Sequence, residues 1–183
     1  MTETPSTLRT HSAAGNPAYP GGRCMVDNIL VLGLGNILMS DDGAGVEAAI
    51  RLQKRFASVP GLSIVDGGTL GLDLLPMIED STHLLVIDAV VESGGSLPGE
   101  IIRISGDEIS AFFSTKISPH QMGMKDLFFC ARLQGRMPKH AVLLGVTAGS
   151  LNVGVGLTPP VADAMNALVD AAADELSGWG VKR

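Results

Sequence analysis

The chain has 183 residues, 45% of them hydrophobic and 17% charged, which predicts a globular protein with a sizeable core and excludes a disordered one. A net charge of −6 argues against nucleic-acid binding, because Lys and Arg supply the contacts to phosphates. No apolar stretch reaches the roughly 18 residues of a membrane span, and the first residues lack the apolar centre of a signal peptide. A cytoplasmic protein is therefore expected, with Cys24 and Cys130 as free thiols.

Residues 1–27 are rich in Ser, Thr, Pro and Gly and show no hydrophobic periodicity, so we expect a flexible tail. Residues 28–183 alternate strand-like and helix-like segments. The predicted strands cover about 28–34, 62–65, 83–88, 99–104 and 141–146, and the predicted helices about 43–56, 72–78, 121–133 and 159–177. Thr158 is the expected N-cap of the last helix, and the Asn36 amide is expected to tie the loop after the first strand. Helical spacing of apolar residues marks the inward faces: Val46, Ala49, Ile50, Leu52 and Phe56 in the first helix, Met124, Leu127, Phe128 and Ala131 in the third, and Val161, Met165, Leu168, Ala172 and Leu176 in the last. This alternation predicts an α/β fold: a single three-layer domain with a mostly parallel, twisted sheet flanked by helices on both faces.

Two of the predicted strands lead into loops that contain both glycine and aspartate. Gly33-Leu34-Gly35-Asn36 leads into Asp41-Asp42, and the second strand leads into Asp66-Gly67-Gly68. Ligands of open α/β sheets bind at the carboxyl ends of the strands, so Asp42 and Asp66 are expected to converge there. Asp41 or Asp42 could instead cap the next helix. Asp88 ends a third predicted strand and is a supporting candidate.

His120 is the histidine best placed to join these acids. It lies near the start of a predicted helix, where the helix dipole disfavours a protonated imidazole. A neutral histidine can bind a metal or accept a proton, although a lone histidine is more often structural. His83 and His140 each open a strand, so both are expected at the amino edge of the sheet, away from the acids.

Two carboxylates and one imidazole suit a divalent metal such as zinc or nickel, or hydrolytic chemistry. Other site types fit less well. Leu38 occupies the position of the third glycine of a dinucleotide fingerprint, and no Gly-Lys-Ser/Thr follows. The chain also lacks the Gly-x-Ser-x-Gly motif of serine hydrolases, the HExxH motif of zinc proteases and the Asp-Thr/Ser-Gly motif of pepsin-like enzymes.

Three separated segments together resemble the [NiFe]-hydrogenase maturation endopeptidases. They read GLGNILMSDDG at 33–43, DGGTLG at 66–71 and KISPHQMG at 116–123, and GLTP at 156–159 also fits. The similarity extends in the same order over about residues 28–176. One departure is Ala148, at a position where the family frequently has proline.

The resemblance implies a cytoplasmic, aspartate-dependent peptidase that removes a C-terminal extension from a nickel-loaded hydrogenase large-subunit precursor. It also implies that Asp42, Asp66 and His120 contact nickel, which the substrate presents, and that no organic cofactor takes part. Asp42 is the expected catalytic residue, and a monomer is expected. Two alternatives are a non-catalytic nickel-sensing chaperone and a metal-dependent hydrolase of small molecules.

Overall fold

The computed structural model describes residues 27–91, 96–106, 108–115 and 119–182, without the side chains of residues 110, 113–115 and 119–122. Five strands form one sheet: β1 Ile29–Leu34, β2 Leu62–Gly68, β3 His83–Val90, β4 Ile101–Ser105 and β5 His140–Thr147. Five α-helices accompany them: α1 Ala44–Arg55, α2 Leu75–Glu79, α3 Glu108–Thr115, α4 Pro119–Leu133 and α5 Pro159–Gly178. Within these ranges, none of the helices combines the length and the apolar character needed to cross a bilayer.

The strand order is β2-β1-β3-β5-β4, with β4 antiparallel to β5 and every other pair parallel. The predicted α/β class and the mostly parallel sheet are thus confirmed. The chain leaves β1 toward one side of the sheet and later returns to its other side, so the order reverses between β1 and β3. A crevice at the carboxyl ends of such strands is where ligands bind in open α/β sheets.

The core consists of two apolar layers, one on each face of the sheet. Alternate residues of the central strands face opposite layers, because successive side chains of a strand point to opposite sides. One layer includes Val31, Leu85 and Leu144 and is covered by α1 and α5. The other includes Leu32 and Leu84 and is covered by the remaining helices. The layers and their helices fix the sheet, and the sheet carries the loops of its carboxyl edge.

Helix α1 packs unusually close to the sheet because two glycines face each other. A Cβ atom on Gly33 would lie 2.2 Å from the carbonyl oxygen of Gly45. A Cβ atom on Gly45 would lie 2.3 Å from the carbonyl oxygen of Ile87 and 2.4 Å from that of Leu34. Any side chain at either glycine would force α1 away from β1 and β3. The start of α1, and the turn before it, are therefore held against the end of β1.

Four predictions about individual elements were wrong. α3 was not predicted, and β3 continues two residues past Asp88, which lies fully buried within the strand instead of at its end. Neither acid of the Asp41-Asp42 pair caps α1; Gly43 occupies the N-cap, without a side-chain hydrogen bond. Ile50, assigned to the apolar stripe of α1, is partly exposed.

The other assigned helix faces are confirmed. In α4, Met124, Leu127, Phe128 and Ala131 are buried, and Cys130 is a partly buried free thiol. In α5, the predicted inward-facing residues are all buried: Val161, Met165, Leu168, Ala172 and Leu176. Cys24 and nearly all of the predicted tail lie outside the described residues.

Candidate functional site

The loop after β1 carries the first candidate acid in a strained, tightly packed turn. Gly35 has φ +121°, and a Cβ atom there would lie 1.7 Å from the carbonyl oxygen of Asp42. Only glycine therefore fits at this position. The side-chain oxygen of Asn36 accepts the N–H of Leu38 at 3.0 Å, so this amide ties the loop as predicted. The chain then forms a 3-10 turn, Ser40–Gly43, that holds both acids.

Asp42 lies just behind the surface of this loop. Its side chain is 4% exposed, and its Oδ2 accepts the main-chain N–H of Asn36 at 2.8 Å. A hydrogen bond to the charged form stabilises a carboxylate and fixes its orientation. Asn36 itself lines a cleft, so the Asp42 carboxylate is held within one residue of an accessible cavity.

Asp41 has a different role from its neighbour. Its Oδ2 accepts the N–H groups of Gly149 at 2.8 Å and Ser150 at 2.9 Å. The N–H of Thr158 donates to Oδ1 at 2.6 Å, and the Thr158 hydroxyl donates to Oδ2 at 2.8 Å. The side chain is completely buried. Asp41 therefore anchors the loop between β5 and α5 to the turn that carries Asp42.

Main-chain contacts extend this anchor along the same two segments. The N–H of Ser40 donates to the carbonyl of Gly154 at 2.8 Å, and the N–H of Gly154 donates to the carbonyl of Leu38 at 2.9 Å. The Ser40 hydroxyl donates to the carbonyl of Asn152 at 3.0 Å. This anchor was not predicted, because Thr158 was assigned only as the N-cap of α5. It occupies that position, but its hydroxyl binds Asp41 instead of capping the helix.

Asp66, the second candidate acid, lies at the carboxyl end of β2 and is exposed. Its Oδ1 accepts the N–H of Gly68 at 3.0 Å. The carbonyl of Gly68 accepts the N–H of Gly35 at 2.9 Å, which joins the Asp66 turn to the loop after β1. Asp66 lines a cleft of about 220 Å³ together with Gly35, Asn36 and Ile37. The loops that carry the two acids therefore border one cleft, which Asp66 lines directly and to which Asp42 is linked through Asn36.

His120 is the second residue of α4, as the predicted position near a helix start requires. Its side chain lies outside the described part of the structure. The backbone nevertheless places the beginning of α4 beside the loop that follows Asp66: a Cβ atom on Gly123 would lie 3.8 Å from Cα of Gly71. Among the described side chains, which exclude that of His120, no three acids, histidines or cysteines form a group able to hold a metal.

The other two described histidines lie at the opposite edge of the sheet, as predicted. His83 and His140 are register partners at the starts of β3 and β5, and their rings stack with centroids 4.6 Å apart. The Trp179 ring lies 5.1 Å from His83. Burial, and then the neighbouring His140, lower the pKa of His83; Lys139 adds to the decrease and Asp27 opposes it. These histidines are part of the packing and lie away from Asp42 and Asp66.

The chain is similar in sequence to known proteins. Residues 46–175 match the HycI family model, described as hydrogenase maturation protease. The chain is 38% identical over 148 residues to the hydrogenase 2 maturation protease of Escherichia coli K12, covering 81% of this chain and 87% of that protein. It is 41% identical over 157 residues to the hydrogenase expression/formation protein HupD of Bradyrhizobium diazoefficiens, covering 85% and 81% of the two chains.

Solved structures of similar proteins share the fold. The hydrogenase maturating endopeptidase HybD from E. coli superimposes with a TM-score of 0.81 at 37% identity, covering 85% of this chain and 95% of that one. The [NiFe] hydrogenase maturation protease HybD from Thermococcus kodakarensis gives a TM-score of 0.67 at 29% identity, with 80% and 97% covered.

Proposed function

The chain belongs to the hydrogenase maturation protease family, and we propose that it removes a C-terminal extension from the large-subunit precursor of a [NiFe] hydrogenase after nickel insertion. We further propose that Asp42, Asp66 and His120 recognise the nickel of the precursor. The observation that carries this proposal is the junction of the two acid-bearing loops through the Gly35–Gly68 hydrogen bond.

The donor chemistry supports nickel as the recognised ion. Carboxylates and imidazole are suitable ligands for a borderline divalent metal, and nickel held by the precursor would keep some positions open to them. The start of α4 lies beside the loop after Asp66, so the backbone allows His120 to take part. The protein itself then needs no resident metal, because the ion arrives with the substrate.

Asp42 is the residue to which we assign the chemical role. Its carboxylate is held by the N–H of Asn36, a residue that lines the cleft, and a carboxylate in such a position can act as a general base toward water. Contact with nickel would hold the precursor in place, and such positioning lowers a reaction barrier by several kcal/mol. Cleavage then depends on the state of the substrate, which prevents cutting of other proteins.

The test is mass spectrometry of a hydrogenase large-subunit precursor incubated with this protein, with and without prior nickel loading. We expect the nickel-loaded form alone to lose a C-terminal peptide. Cleavage of both forms would keep the protease function and reject nickel recognition. If a matched, nickel-loaded precursor binds but keeps its full mass, the protein acts as a chaperone and the protease proposal fails.

A further inference from the structure

A second, larger depression adjoins the acidic cleft. It measures about 510 Å³ and lies between the loop after β1, helix α1 and the segment that leads into α5. Its apolar lining consists of Ile37, Leu38, Ile50, Val155, Leu157 and Ala162. Ligand sites of this size and apolar character accommodate a few side chains of a peptide. We call this depression the apolar groove.

Several residues of the apolar groove are far more exposed than their type favours. Ile37 and Leu38 are each 58% exposed, and Val155 is 88% exposed. Scattered apolar residues are normal on a surface, but a contiguous apolar patch marks an interaction site. Here the exposed residues come from segments more than 100 positions apart in the chain, and the anchor at Asp41 holds those segments together.

The apolar groove is continuous with the candidate active site. Ile37 lines both the groove and the cleft that contains Asp66. Gly43, which directly follows Asp42, also lines the groove. A peptide with one residue at the two acids would therefore place its next residues in the groove.

The charges in the apolar groove favour an uncharged occupant. Of its lining residues, all within the described part of the chain, Glu47 and Arg51 carry charge. Arg51 Nε donates to Glu47 Oε1 at 3.0 Å, so the two charges balance each other. No net charge remains there to attract an acidic or basic segment.

The rim of the apolar groove also offers main-chain groups to a bound peptide. Gly154 directs both its N–H and its carbonyl to Leu38 and Ser40. Among the described residues, neither the N–H nor the carbonyl of Val155 has a hydrogen-bond partner. Both groups are therefore available to hydrogen-bond a bound peptide.

We propose that the apolar groove binds the C-terminal extension of the precursor through aliphatic side chains of that extension. This inference rests on the proposed function and adds to it the chemical class of the peptide. Nickel contact selects the state of the precursor, and the groove selects the peptide beside the cleaved bond.

Val155→Asp tests the groove, and Val153→Asp is its matched control. Both valines are 88% exposed and lie on the same segment, but Val153 does not line the groove. With nickel-loaded precursor we expect Val155→Asp to raise KM about tenfold, the equivalent of about 1.4 kcal/mol, with kcat little changed. Ile50→Asp should act in the same direction. Val153→Asp should leave both constants as in the wild type. If all three variants show the KM and kcat of the wild type, the groove proposal is wrong, although the proposed protease function still stands.

A photo-crosslinking residue at position 155 tests the same contact without requiring cleavage. We expect it to attach to the C-terminal extension of the nickel-loaded precursor, as located by mass spectrometry, whereas the same residue at position 153 should not. Attachment at 155 to any other part of the precursor, or none, would overturn the groove proposal. If the wild-type protein does not cleave the precursor but the residue at position 155 still crosslinks to the extension, the protease proposal is wrong and the groove proposal is supported.

Discussion

The two edges of the sheet hold their titratable residues in different ways. At the amino edge, the rings of His83, His140 and Trp179 pack against one another. At the carboxyl edge, main-chain N–H groups hold Asp41 and Asp42 in loops that border a cleft. A cluster of titratable groups is therefore not by itself a site. The carboxyl edge differs because its polar groups are fixed by the backbone beside space that a substrate can enter.

The largest expected effect is a difference in activity between variants at the two edges of the sheet. Asp42→Asn should lower processing of the nickel-loaded precursor at least about a hundredfold, because it removes the proposed proton acceptor and nickel ligand. Its unfolding temperature should stay near that of the wild type, because the amide can still accept the N–H of Asn36. His140→Gln, at the amino edge, should process the precursor normally. Equal activity of Asp42→Asn and wild type would remove Asp42 from its assigned role.

Alanine substitutions at two glycines compare the tightly packed turn before α1 with an open position, by their effect on stability. Gly35→Ala should lower the free energy of unfolding by about 3 kcal/mol or more, since it combines a positive φ with a clash against the backbone of Asp42. Gly180→Ala also has a positive φ, but a Cβ atom there meets no atom within 4 Å. We expect it to cost about 1 kcal/mol. Urea unfolding measures both, and equal losses would contradict the tight packing of the turn.

Asp41→Asn tests the anchor. It replaces a carboxylate that accepts four hydrogen bonds with an amide that can accept fewer, so we expect a loss of about 2 kcal/mol in urea unfolding. Asp27→Asn, an exposed acid at the amino edge, should change stability by less than about 0.5 kcal/mol. A loss for Asp41→Asn no larger than for Asp27→Asn would show that the late loop does not depend on this residue.

The smallest expected effect is a pH dependence at the amino edge. The pKa of His83 is lowered in the folded protein, so between that value and 6.5 the unfolded chain binds more protons. Its stabilising contribution is complete above pH 6.5 and decreases as the pH falls. His83→Gln should therefore lose less stability than wild type between pH 7.5 and 5.5. Fluorescence of Trp179, the one tryptophan of the chain, reports unfolding directly. An identical pH dependence of stability for the wild type and His83→Gln would contradict the contribution assigned to His83.

Local patterns predicted most of the fold, because strand and helix periodicity is a property of neighbouring residues. The faces of α4 and α5 followed directly from their spacing. Helix α3 was missed, and its eight residues cover little more than two turns. Ile50 was misassigned for a different reason: periodicity marks a face but cannot tell buried apolar positions from those that line a surface groove.

For the site, the rule that parallel strands share a carboxyl edge predicted that the loops of Asp42 and Asp66 meet. The role of Asp41 could not be predicted in this way. Its partners Gly149, Ser150 and Thr158 lie 108 to 117 positions away, and their three main-chain donors carry no local signal. A buried aspartate bound to distant main-chain groups looks in sequence like an ordinary helix cap.

The long separation between Asp41 and its partners sets an order of events during synthesis. The turn with Asp42 leaves the ribosome early, but the segment that completes its surroundings follows more than 100 residues later. Contacts between distant segments form late in folding, after the intervening chain is in place. A nascent or truncated chain would therefore carry the acids without the groove wall. The protein acquires its proposed cutting ability only after the segment from Gly149 to Thr158 has been synthesised.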